Sequence, residues 1–317
     1  MALLVLLLVG YPLALGATAW SGLNRVAVAA SALPDTPGRT WLVVGSDARA
    51  ELTPEERRRL HTGKAAGRRT DTIMLMHVPA GGGPVALVSI PRDSYVAIPG
   101  HGKNKINAAF AFGGPTLLAR TVERTTGVRV EGYPETGLGG FATLVDALGG
   151  VDVCVAKGFS DAEAHVTVRA GCQTMDGPTA LGYARARHSQ ARGDLDRVEH
   201  QRQVLAAIAH RTLSPSVLAD PFTAFPVARA AAGALTVDED ASATDLVGFA
   251  RGMRAVAGSG KGGVELTVPV ASANLRTPSG LAVSWDTARS RAVFDALRAD
   301  DTAALQQEAA RQRTLTR

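Results

Sequence analysis

Residues 72–93 read TIMLMHVPAGGGPVALVSIPRD. Two apolar runs, Thr72–Val78 and Val85–Ile90, flank a Gly-Gly-Gly-Pro turn, and this pattern predicts two buried strands. Charge stands at the outer end of each. Arg68-Arg69-Thr70-Asp71 precedes the first run, and Pro91-Arg92-Asp93 follows the second. A third short apolar run, Trp41–Val44, stops at Gly45-Ser46-Asp47-Ala48-Arg49. One aspartate beside a glycine is an ordinary turn residue. Three strand ends that each offer Arg and Asp are harder to dismiss, because ligands of α/β sheets gather at strand ends.

Working outward, Glu51–Arg69 is a charged surface excursion with a helical piece, ELTPEERRRL. Pro99–Gly114 reads as a glycine-bounded loop, after which Pro115 opens a helix closed by Gly127. Phe141–Leu148 reads as a helix and Val151–Val155 as a strand. Ala180–His188 alternates around an Arg-x-Arg pair, so a strand is expected that turns Tyr183, Arg185 and Arg187 to one side. Asp194 starts a long helix with Val198, Leu205 and Ile208 on its core face, while Arg197 and Gln201, four apart, share another. A helix at 245–256, a strand at 264–270 and a helix at 286–297 follow, and the polar stretch from Asp301 is expected to fray. The mix describes one α/β domain with helices covering a central sheet.

The formal net charge of +5 is carried almost wholly by arginine, which suits an anionic partner. Aromatic residues are only 5% of the chain, too few to interleave with the arginines as single-stranded nucleic-acid binding demands. Walker and Gly-x-Ser-x-Gly motifs are lacking. Cys154 and Cys172 are the only cysteines; they read either as two buried thiols or as one disulfide, the latter requiring an oxidising compartment. Met1–Trp20, MALLVLLLVGYPLALGATAW, carries no charge and is long enough to cross a bilayer as a helix. A cleavable signal peptide ending at Ala17-Thr18-Ala19 is the alternative. The uncleaved anchor is favoured, with the rest of the chain outside the cytoplasm, and export in turn favours the disulfide. The expected organisation is a transmembrane helix at 1–23, a juxtamembrane linker at 24–39, a catalytic domain at 40–300 and a polar tail at 301–317.

Separated carboxylates with several guanidiniums have a definite chemical use. Aspartates hold a hard divalent cation that bridges phosphate oxygens, and guanidiniums clamp phosphate through paired hydrogen bonds. The competing reading is a set of structural ion pairs, which contribute little when exposed. Arg192 and Arg202 are assigned to a solvated helix face, whereas Arg185, Arg187 and Arg197 read as converging on an anion.

Six blocks in order, WLVVGSDAR, GRRTDTIMLMHV, VALVSIPRDSYVAIPGHGKNKINAAFAFGG, GFATLVDALGGVDVCV, AGCQTMDGPTALGYARARH and GDLDRVEHQRQ, resemble the LytR-CpsA-Psr family of bacterial cell-envelope proteins. The resemblance covers about residues 41–210 and looks like the actinobacterial branch, in which arabinogalactan attachment is a frequent role. It implies a three-layer α/β/α domain with a central mixed sheet and an apolar groove for a lipid tail. It also implies transfer of a phosphoglycopolymer from a polyprenyl-pyrophosphate carrier to peptidoglycan, with Mg2+ (or Mn2+) on the pyrophosphate. By position, Asp47 and Asp71 match the metal-associated carboxylates. Arg69, Arg92, Arg185, Arg187 and Arg197 match the pyrophosphate-binding arginines, and Asp93 and Gln201 match polar active-site positions. A hydrolase acting on the same lipid, and a non-catalytic protein that binds the lipid carrier, are the other readings of these residues.

Overall fold

The computed structural model describes residues 10–29, 31–46, 52–62, 70–186, 194–257 and 263–315, with the side chains of 194–198 and 315 outside the description. In chain order the elements begin with α1 (Tyr11–Ser21), β1 (Asn24–Val26), β2 (Arg39–Ser46), α2 (Pro54–Arg59), β3 (Thr70–Val78), β4 (Val85–Ser89), β5 (Tyr95–Ile98) and β6 (Gly102–Lys105). Next come α3 (Asn107–Thr126), β7 (Glu135–Gly137), α4 (Leu138–Ala147), β8 (Val151–Val155), β9 (Phe159–Asp161), β10 (Val166–Val168), β11 (Gly171–Met175), α5 (Gly177–Arg185) and α6 (Asp194–Thr212). The chain closes with α7 (Pro215–Leu218), α8 (Pro221–Ala234), β12 (Leu235–Asp238), α9 (Ala243–Ala257), β13 (Gly263–Thr267), β14 (Val270–Thr277), β15 (Gly280–Trp285), α10 (Thr287–Arg298) and α11 (Thr302–Leu315).

The chain forms two compact units. One comprises 1–24, 48–66 and 136–236; the other comprises 25–47, 67–135 and 237–317. The second unit holds most of a seven-stranded sheet of order β1-β12-β7-β2-β3-β4-β13. β2, β3 and β4 pair antiparallel, and β13 joins β4 in parallel, so the sheet is mixed. Alternation along β3 sends Ile73 and Leu75 into one core with Phe110, Leu118, Val293, Phe294 and Leu305, and Met74 and Met76 into another with Trp41, Leu87, Phe249 and Met253. Helices α3, α10 and α11 cover the first face and α9 the second, which is a three-layer α/β/α arrangement.

Three sequence expectations fail in this unit. The region 99–114 is not a loop: β5 and β6 form a hairpin, and α3 starts at Asn107, breaks at Gly113 and Gly114, and resumes at Pro115. The linker at 24–39 contributes β1 and buries Val28. The tail from Asp301 does not fray but forms α11. Leu305 and Ala309 enter the core, and Gln312 bonds both the N–H and the carbonyl of Thr267 on β13. Two apolar residues four apart suffice to dock an otherwise polar helix.

In the first unit, β8 and β11 pair antiparallel with Cys154 directly opposite Cys172, and the two form a disulfide. Ala180–His188 was expected to be a strand; its described part belongs instead to helix α5. Asp176 caps it by accepting from the N–H of Thr179, and Pro178 stands in its first turn. The Tyr-x-Arg alternation mimicked a strand, but two residues on a helix are about 200° apart, so Tyr183 and Arg185 do not share a side. On α6, Val204 and Ile208 are buried, while Leu205 is only half-buried. The second half of the expected membrane span is α1, a helix laid along α8. No helix among the described residues is long and apolar enough to cross a membrane.

Candidate active site

β2 and β3 keep register down to Gly45 opposite Thr72, after which Ser46 stands opposite Thr70. Asp71 is therefore the extra residue of a β-bulge, a device that re-aims a side chain at a strand end. On its other side β3 pairs with β4, and Met74 stands opposite Ser89. Continuing that ladder by three residues brings Arg92 opposite Asp71. Their side chains form an ion pair, Arg92 Nη1 to Asp71 Oδ1.

The 91–94 turn is held from three directions. The N–H of Asn107 donates to Arg92 O at 3.2 Å, that of Ile106 to Ser94 O at 2.8 Å, and that of Val283 to Asp93 O at 2.8 Å. Trp285 Nε1 adds a 2.8 Å bond to Ser94 Oγ. Asp93 in turn accepts from Lys105 Nζ at 3.0 Å and lies 3.5 Å from Arg92 Nε. The result is an alternating row, Lys105–Asp93–Arg92–Asp71, half-open to solvent and fixed at the ends of the interior strands β3 and β4. Lys105 was not singled out in the sequence. The signal existed, since it is one of five lysines in the chain and ends β6, where it stands opposite Tyr95.

Three buried hydroxyls finish β2, open β3 and finish β4: Ser46, Thr70 and Ser89. None has a hydrogen-bond partner among the described residues. Buried polar groups are normally satisfied, so this edge retains unused capacity for a ligand. The Asp71 carboxylate and the neighbouring Ser46 and Thr70 hydroxyls are oxygen groups of the hard kind a divalent cation accepts. Among the described residues there is no cluster of three metal-ligating side chains. Asp47, the second matched carboxylate, follows Ser46 directly but lies outside the described residues, as do Arg69 and Arg187.

In the first unit, Arg185 ends α5. Gln201 on α6 donates to the carbonyl of Ala184 at 3.4 Å, tying that helix end in place. Beneath it, Phe159, Tyr183 and His200 stack, with centroids 5.8 Å, 4.2 Å and 5.2 Å apart pairwise. Burial, aided by Glu199, pushes the Tyr183 phenol up to about 12, and its hydroxyl donates to Gln203 Oε1 at 2.6 Å. This stack, missed in the sequence, packs α6 against α5. Arg197 lies on α6, and its side chain is outside the description. The same unit contains a cavity of about 740 Å³ lined by Leu52, Leu138, Phe225, Pro226 and Arg229 together with glycines of α4 and α8.

The model of the LytR_cpsA_psr family matches residues 26–282, most of the chain and all of the elements that build both sets of residues. The chain belongs to the LytR-CpsA-Psr family. Among its relatives is the Probable cell wall biosynthesis protein LcpB of Corynebacterium glutamicum, 46% identical over 296 residues, which are 92% of this chain and 69% of that protein. The polyisoprenyl-teichoic acid–peptidoglycan teichoic acid transferase TagU of Oceanobacillus iheyensis is 39% identical over 152 residues, 46% of this chain and 47% of that protein. In structure the chain is similar to the LytR-Csp2A-Psr enzyme from Actinomyces oris, with a TM-score of 0.64 at 21% identity over 87% of this chain and 96% of that one. That likeness establishes the LytR-CpsA-Psr fold.

Proposed function

We propose that this protein transfers a phosphoglycopolymer from a polyprenyl-pyrophosphate carrier to peptidoglycan, at the outer face of the membrane. The observation that carries the reading is the Lys105–Asp93–Arg92–Asp71 row at the end of β3 and β4, in a chain of this family. An acceptor hydroxyl on peptidoglycan attacks the phosphorus bonded to the glycopolymer. The P–O bond to the carrier breaks, polyprenyl phosphate leaves with the bonding pair, and the hydroxyl proton passes to solvent or a nearby carboxylate. Arg92 and Lys105, freed from Asp71 and Asp93 by a competing pyrophosphate, donate to the oxygens on which charge grows. Arg185, Arg187, Arg197 and Arg69 serve as the further phosphate clamp, with Gln201 holding the end of α5. Asp71 and Asp47 are the carboxylates that would hold Mg2+ (or Mn2+), which when bound neutralises pyrophosphate charge. The cavity of the first unit, with Leu52, Leu138, Phe225 and Pro226 on its wall, suits a stretch of the polyprenyl chain. The apolar N-terminal stretch Met1–Trp20 ties the protein to the membrane, and the disulfide suits an oxidising exterior. Arabinogalactan is the polymer favoured by the actinobacterial wording of the motifs.

Product analysis with a defined polyprenyl-pyrophosphate glycan tests this. Label should move to added peptidoglycan as a phosphodiester, with release of polyprenyl phosphate. Cleavage of equal extent with and without acceptor, and no label in peptidoglycan, would instead establish a hydrolase.

A further inference from the structure

α1 and α8 lie side by side and run in the same direction. At one end the Tyr11 ring meets Phe225 edge-on with centroids 5.8 Å apart, and Tyr11 Oη donates to Leu218 O at 2.8 Å. At the other end a Cβ on Gly22 would stand 3.0 Å from Ala232 Cβ, and Asn24 Nδ2 donates to Gly233 O at 2.8 Å. Both helices therefore begin at the same place. Three large apolar side chains stand in solvent there: Phe222 at 90% exposure, Leu13 at 67% and Leu218 at 40%. A phenylalanine this exposed in the first turn of a helix contributes nothing to the fold.

We propose that this end of the first unit seats on an anionic lipid bilayer, with Phe222, Leu218 and Leu13 inserted among the acyl chains. The inference rests on the membrane attachment proposed above and goes beyond it by placing folded side chains in the lipid. Two observations choose the bilayer over another occupant. Residues 1–9, MALLVLLLV, are wholly apolar and lead in sequence through Gly10 to Tyr11, the first residue of α1. Arg211, in the last turn of α6 just before α7, donates to Leu148 O and to Ser216 Oγ on α7, each at 3.4 Å. An apolar tip with a cationic side chain beside the adjoining α7 suits a bilayer-seated surface. Asp220, the acidic residue beside the tip, turns its carboxylate inward to cap α8, accepting from the N–H of Phe222 and from the hydroxyl of Thr223.

The test uses the full chain in phosphatidylglycerol/phosphatidylcholine vesicles, with and without brominated acyl chains. Trp emission is read as the difference between Phe222→Trp and the parent chain, and Ala156→Trp, at an exposed bend of the same unit, is the control. The added emission of Phe222→Trp should shift to the blue and lose more than half its intensity in brominated vesicles, while that of Ala156→Trp stays unchanged. Phe222→Asp combined with Leu218→Asp should lower the vesicle-bound fraction at limiting lipid; both side chains are exposed, so the variant keeps its fold. A chain that floats with vesicles while Phe222→Trp remains unquenched overturns the inference and leaves membrane attachment standing. A chain that does not float overturns the attachment as well. A blue shift that appears without lipid and grows with protein concentration assigns the surface to a second copy and overturns the inference.

Discussion

Arg92, just beyond the end of β4, pairs with Asp71, the bulged second residue of β3. The bulge lets an aspartate leave the alternation of a buried strand and meet a guanidinium at the strand end. Substituting Asp71 by Ala should abolish metal-dependent transfer without lowering the melting temperature appreciably, because Asp71 lies outside both cores. Arg92→Lys keeps the charge but loses the planar fork, and should lower turnover about 10²–10³-fold. Transfer assays across a metal titration check both. Full activity of Asp71→Ala in excess metal and in its absence would remove the carboxylate from the site.

Lys105 is the cation that orients Asp93. Replacing it by Met removes a charged hydrogen bond, a contact worth about 1.5–3 kcal/mol, so kcat/KM for the lipid substrate should fall at least about tenfold. Lys105→Arg should recover part of it. Substrate-concentration series separate the two, and an unchanged kcat/KM in Lys105→Met would show the lysine to be bystander surface charge.

The Cys154–Cys172 bridge joins positions 18 residues apart in the chain. Loop closure of this size stabilises by about 3 kcal/mol, so the Cys154→Ser, Cys172→Ser double variant should unfold at lower denaturant. Thiol labelling of unreduced, denatured protein should find no reactive cysteine; two labelled thiols would rule out the bond.

His77 is wholly buried between Thr40 Oγ1, 2.9 Å from Nδ1, and Asp300 Oδ1, 2.8 Å from Nε2. Asp300 adopts φ 58° and also accepts from the N–H of Ala80, joining the start of α11 to the β3–β4 turn. Asp300→Ala strands a buried imidazole and strains a left-handed backbone, and should cost about 1–3 kcal/mol. Asp300→Asn, which tolerates that conformation, should cost less. Equal stability of all three proteins by chemical denaturation would contradict this.

The Tyr183 phenol, pushed up to about 12 from 10.0 by burial, favours its neutral form in the folded chain. Its contribution is therefore complete below pH 10.0 and is lost as pH rises through about 12. Between these values the wild type should lose stability faster than Tyr183→Phe, which has no proton to release. Parallel slopes of unfolding free energy against pH would show that the ring is solvated.

What could be read from the chain alone was whatever depends on short-range pattern. The apolar runs of β3 and β4, the turn between them, the Pro115 restart of α3 and the long α6 all follow from local periodicity and from Gly and Pro. The charged strand ends were legible for the same reason: an arginine or aspartate next to a buried run must lie where the run emerges. The motifs also sufficed to place the chain in its family. Elements whose identity depends on remote partners were not legible. α5 alternates like a strand, yet its Asp176 cap and its packing under the Phe159–Tyr183–His200 stack make it a helix. α11 looks like a fraying tail until β13 offers its backbone to Gln312. The tertiary structure alone also decided which side chains meet. The bulge at Asp71 is a property of two strands in register, and the Lys105–Asp93 pair depends on the β5–β6 hairpin turning back. Division into two units arises because two cores are closed by segments far apart in the chain. Local propensity reaches a few residues, whereas register, bulge and side-chain partnership are set by contacts tens to hundreds of residues apart, which no local pattern encodes.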